Sequence, residues 1–89
     1  MILTGFAAAR VSVALNRLSQ GNTSNVKPVG AGVNELKINF GPGYRIYFGW
    51  DGAALVILLG GGTKARQQRD IVEAQKCWMD HKARKQTGA

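Results

Sequence analysis

One cysteine, Cys77, and one histidine, His81, are all that the 89 residues contain of the usual redox and metal-ligating side chains. A lone thiol cannot close an internal disulfide, which excludes a disulfide scaffold, and one Cys with one His is too small a set to suggest a zinc site. We expect no metal and no cofactor. Acidic side chains are also scarce, with 5 Asp and Glu against 12 Lys and Arg and a formal net charge of +7. That balance favours an anionic partner: RNA, DNA, an acidic protein or an anionic membrane surface. No apolar run is long enough to span a bilayer, and the opening MILTGFAAAR is too short and too weakly apolar for a secretory signal. The expected setting is a reducing cytoplasm. A chain of this length has room for one small domain with one core, a size at which a fold is often marginal alone and a partner or self-association is favoured.

What the chain does contain falls into clear segments. Residues 6–20 are rich in Ala, with Val11, Leu15 and Leu18 at helical spacing and Thr4 placed to cap the start. Gly21-Asn22 ends this helix, and residues 23–32, with Ser, Asn, Pro28 and two glycines, show no period and read as a loop. Three strands are expected at residues 33–40, 44–50 and 53–59, separated by Gly41-Pro42-Gly43 and Asp51-Gly52, both turn sequences suited to antiparallel hairpins. The last of them is apolar on both faces, which predicts an interior strand. After Gly60-Gly61-Gly62, Thr63 can cap a second helix over residues 64–84, with Ile71, Ala74 and Trp78 as its buried stripe. The sum is one α+β domain in the order helix, three-stranded meander, helix.

Alternation along the hairpin separates two faces. Leu36, Ile38 and Phe40 point one way with Ile46 and Phe48, while Lys37 and Asn39 point the other with Arg45 and Tyr47. The second face is what a surface that grips a polyanion needs. Tyr44 shares the parity of Ile46 and Phe48 and belongs to the core, Tyr47 is the better candidate to stack on a splayed base, and Arg66 and Arg69 near the start of the last helix can add to the polyanion surface. Cys77 and Trp78 are expected buried in the final helix, and Trp50, at a strand end, to anchor a dimer contact. His81, without a carboxylate or thiol at useful spacing, reads as a surface residue.

The segments Val26-Lys27-Pro28-Val29, Glu35-Leu36-Lys37, Gly41-Pro42-Gly43-Tyr44-Arg45, Gly61-Gly62-Thr63-Lys64 and Arg69-Asp70-Ile71 occur in a fixed order. In that order they resemble the addiction-module killer proteins of the RelE/HigB-like toxin superfamily, over residues 9–79. The resemblance implies a RelE-like fold and a small toxin that cuts messenger RNA on the translating ribosome and is silenced by a cognate antitoxin protein. It points mainly to Lys37, Arg45 and Lys64 as site residues. RNA brings its own nucleophile, the ribose 2′-hydroxyl, so such a nuclease needs a base, cations at the scissile phosphate and a donor to the leaving oxygen, without a metal. Arg45 suits the transition-state charge because its fixed fork can hold two phosphate oxygens. Lys37 and Lys64 are the alternatives for the base, Tyr47 can converge with Lys37 and Arg45 from the neighbouring strand, and Lys64, Arg69 and helix-start amides after Gly62 can reach the same phosphate.

Members of that superfamily usually open with a strand and a helix before the helix placed here at residues 6–20. Their lack predicts an open sheet edge and a homodimer that conceals it. The competing expectation is a relocated gene, carried as a mobile cassette, whose product keeps the fold as a catalytically inactive binding module or dimer.

Overall fold

The computed structural model describes residues 5–39, 43–61 and 64–86. Helix α1, Gly5–Ser19, leads into strands β1 (Val26–Gly30), β2 (Val33–Ile38), β3 (Tyr44–Asp51) and β4 (Ala54–Gly61), and a 3-10 turn at Lys64–Arg66 carries the chain into helix α2, Gln67–Gln86. The strands pair antiparallel in the order β1-β2-β3-β4. The protein is α+β, and its sheet has four strands where the sequence leads one to expect three. The expected capping residues Thr4 and Thr63, the helix-start glycine Gly62 and the turn residues Gly41 and Pro42 lie outside the described residues.

The additional strand, β1, comes from the segment read as a loop. It pairs with β2 from Val26 opposite Leu36 to Gly30 opposite Val33, with an irregularity between Pro28 and Gly30. Proline lacks the N–H that an interior strand must donate, so Pro28 is tolerated because β1 is at the sheet edge. The reversal into β2 takes three successive residues through the left-handed region, with φ of 95° at Gly30, 56° at Ala31 and 83° at Gly32. Glycine at two of the three positions keeps that turn inexpensive.

One helix covers each side of the sheet. On one side Leu18 of α1, with Val11, Ala14 and Leu15, packs against Leu36, Ile38, Ile46 and Phe48, and Tyr44 joins this cluster as its parity predicts. On the other side Ala74 and Trp78 of α2, with Ile71, pack against Val33, Tyr47, Val56, Leu58 and Leu59. β4 is not the interior strand its composition suggests. It is the other edge, and its apolar residues divide between α2 and the opposite face, where Ile57 is left 52% exposed beside Trp50 at 43%. A register shift opposite Tyr47 and Phe48 accounts for the uneven alternation, since one extra residue in β4 moves its side chains by one face.

Trp78 lies so close to β3 that a Cβ on Gly49 would stand 2.8 Å from three of its ring carbons. Gly49→Ala is therefore expected to push α2 off the sheet and to cost about 1–3 kcal/mol, read as a lower midpoint in urea denaturation. Among the described residues no helix is long and apolar enough to cross a membrane.

Candidate nucleic-acid interface

Cross-strand register brings the basic residues together. Lys37 and Arg45 are direct partners on β2 and β3, Glu35 pairs with Tyr47, and Lys27 of β1 faces Glu35. Partners in a ladder share a face, so these side chains rise on the α2 side of the sheet. There all of them but Tyr47 border a hollow of about 380 Å³, lined by Ser24, Asn25, Val26, Lys27, Glu35, Lys37, Arg45, Lys64 and Gln67. Lys64 reaches it from the 3-10 turn that follows β4. Gly61, opposite Arg45, adds no side chain at that point of the row.

Four cations thus surround one cavity whose carboxylate is Glu35. Glu35 and Arg45 are both more than nine-tenths buried. The Glu35 Oε1 atom lies 3.8 Å from Arg45 Nε, too far for a hydrogen bond, and Oε2 accepts one from Gln67 Nε2 at 2.9 Å. Arg45 Nε has no hydrogen-bond partner. A guanidinium held at the wall of a cavity beside a carboxylate that neutralises it incompletely is well placed to receive an anion.

Tyr47 is on the expected face but not in the hollow. It is wholly buried under α2, so it cannot stack on a base. Burial, and after it the nearby Glu35 carboxylate, hold its hydroxyl well above the ordinary phenol range, which keeps it protonated and removes it as a base. Asn39 is exposed and lines a different hollow with Arg10, Arg17, Asn25 and Lys37. Arg66 and Arg69 are exposed near the start of α2 and border neither cavity.

Glu35, Gln67 and Lys27 were not anticipated. Glu35 stands two residues before Lys37 and therefore shares its face, a signal present in the alternation. Lys27 could be placed only once β1 was known to be a strand.

His81 proves not to be isolated. Its ring stacks on Trp78 at 5.3 Å between centroids, and its Nε2 is 3.1 Å from Asp51 Oδ2, in the strand end before the β3–β4 turn. Lys85 reaches the other oxygen of the same carboxylate. The partner is thirty residues away in sequence, beyond what local spacing reveals. The bond from Lys85, and after it that from His81, hold the Asp51 carboxyl below its ordinary range. A depressed carboxyl contributes stability above the unfolded value and loses it as pH falls through the folded one. Asp51→Asn is accordingly expected to flatten the fall in melting temperature with acidification below about pH 4, measured by circular dichroism.

No family model and no solved structure matches the chain. A protein of Haemophilus influenzae, described as an uncharacterized protein, is 42% identical over 69 residues, which are 78% of this chain and 70% of that protein. With that identity over most of both chains, the protein belongs to the same family as the Haemophilus protein.

Proposed function

We propose that the protein is a metal-independent endoribonuclease of the RelE/HigB-like toxin type, acting on messenger RNA with the ribosome as scaffold and neutralised by a cognate antitoxin. The observation that carries this reading is the convergence of Lys27, Lys37, Arg45 and Lys64 on one hollow in which the Arg45 Nε is buried without a hydrogen-bond partner. A phosphodiester placed there meets a fixed guanidinium and three ammonium groups. The 2′-hydroxyl gives its proton to a base and attacks phosphorus, the bond to the 5′-oxygen breaks, and that oxygen takes up a proton, leaving a 2′,3′-cyclic phosphate and a 5′-hydroxyl. Lys37 and Lys64 are the candidates for proton transfer. In a reconstituted translation reaction the purified protein should yield mRNA fragments with those ends. Intact message at equimolar protein and ribosome would refute the reading.

A binding module without catalysis is the second reading, and one observation favours it. Tyr47 is sealed beneath α2 and Glu35 is engaged by Gln67, so apart from lysines the hollow presents no uncommitted proton carrier. Such a protein would bind RNA with a steep salt dependence and leave it uncut.

The proposal extends to self-association. β4, ALVILLGG, carries no charge and no proline, the usual guards of an outer strand, and Ile57 and Trp50 are exposed beside it. A second copy paired along this edge would cover them. Ile57→Lys should shift the protein toward monomer in sedimentation equilibrium.

A further inference from the structure

β1 does not accompany β2 along its whole length. Pairing begins at Val26 opposite Leu36, and the Lys37 N–H still donates to the Asn25 carbonyl at 3.1 Å. Past that bond, among the described residues, no strand lies outside Ile38 and Asn39. At this part of the edge the hollows on the two sides of the sheet share lining residues. The 380 Å³ hollow opens on the α2 side, and a second of about 260 Å³, bordered by Arg10, Arg17 and Asn39, opens on the α1 side. Lys37 and Asn25 line both. A smaller recess of about 80 Å³ shares Ser24 and Asn25 with the first and Arg17 and Asn25 with the second.

We propose that these hollows form one track for single-stranded RNA, which bends around the outer edge of β2 at Lys37 and continues over α1 past Asn39, Arg17 and Arg10. The identity of the polyanion as RNA rests on the proposed function; the path rests on the shared lining. Cations follow one another along it, Lys64 and Arg45 on one side, Lys37 at the turn, Arg17 and Arg10 on the other, as a chain of regularly spaced phosphates requires. Duplex does not fit. Its stiffness resists a reversal around a single strand edge, whereas an unpaired strand makes that bend freely. The track also gives Asn39 a role that its distance from the Arg45 hollow otherwise leaves open: its amide can bond a base or sugar of a flanking nucleotide.

The test uses the whole protein and 2′-O-methyl oligouridylates, which cannot be cut, so that binding is read separately from cleavage. By fluorescence anisotropy, an eight-nucleotide strand should bind more tightly than a two-nucleotide one. Arg10→Gln with Arg17→Gln should weaken the longer strand about three- to tenfold and reduce the salt slope by about 0.7 for each cation removed, with the shorter strand unaffected. Lys76→Gln, on an exposed position of α2 that borders none of these hollows, controls for net charge alone. Equal loss in the Lys76 variant, equal loss for both strand lengths, a hairpin duplex binding as well as the single strand, or no binding of the eight-nucleotide strand would each overturn the track. A wild-type protein that shows the expected pattern but leaves mRNA intact would keep the track and remove the nuclease reading, and one that cuts mRNA while the arginine pair is without effect would do the reverse.

Discussion

Arg45→Lys is expected to reduce mRNA cleavage in a reconstituted translation reaction by about 10²–10³-fold while leaving the melting temperature close to that of the wild type. The choice of lysine matters. Arg45 is buried against Glu35, so replacing it by alanine would strand a carboxylate and mix a folding defect with a catalytic one. Lysine keeps the positive charge but lacks the planar fork that can hold two phosphate oxygens at once. The loss should therefore appear in the chemical step, with a smaller change in RNA affinity, because Lys27, Lys37 and Lys64 still supply the long-range attraction. A variant that cuts at the wild-type rate would mean that Arg45 serves the fold alone.

How far the residues foretold this arrangement depended on the kind of information each feature needed. Lys37 and Arg45 could be placed together because alternation assigns each to a face and the apolar partners Leu36 and Ile46 hold the register, a slip of one residue being forbidden by the core. The stripe Ile71, Ala74 and Trp78 was legible for the same reason in helical period. Parity, however, names a face and not what covers it. Tyr47 has the parity of Arg45, yet Tyr47 is packed beneath Ala74 and Trp78 while Arg45 borders the hollow, and only the path of the chain after β4 decides that. β1 was hidden because five residues containing Pro28 and ending in Gly30 have too little pattern to declare a strand. It exists because β2 offers it hydrogen bonds, a tertiary cause. β4 misled in the opposite sense. Its continuous apolar run suggested burial on both faces, whereas the sheet ends there and Ile57 remains outside. The contact between His81 and Asp51 depends on where α2 crosses the β3–β4 turn, which no local spacing encodes.

The second large effect concerns Glu35, whose carboxylate is as deeply buried as the guanidinium beside it. Glu35→Ala removes the counter-charge of Arg45, the acceptor of Gln67 Nε2 and the anion next to the Tyr47 hydroxyl together. Removing one member of a buried pair typically costs about 3–5 kcal/mol because the survivor is left uncompensated. Here the 3.8 Å separation, which leaves the pair without a direct hydrogen bond through Nε, places the expected loss at the lower end of that range. The double variant Glu35→Leu with Arg45→Met, which exchanges the pair for apolar side chains of similar size, should recover much of the loss, since the desolvation of two charges disappears along with their attraction. Urea denaturation of the two single variants and the double provides the cycle. Additive losses would show that the two side chains act independently, in which case Glu35 does not position Arg45. A strong coupling would mean that the carboxylate holds the guanidinium at the wall of the hollow, and that the site exists because a buried acid was placed beneath a group of bases.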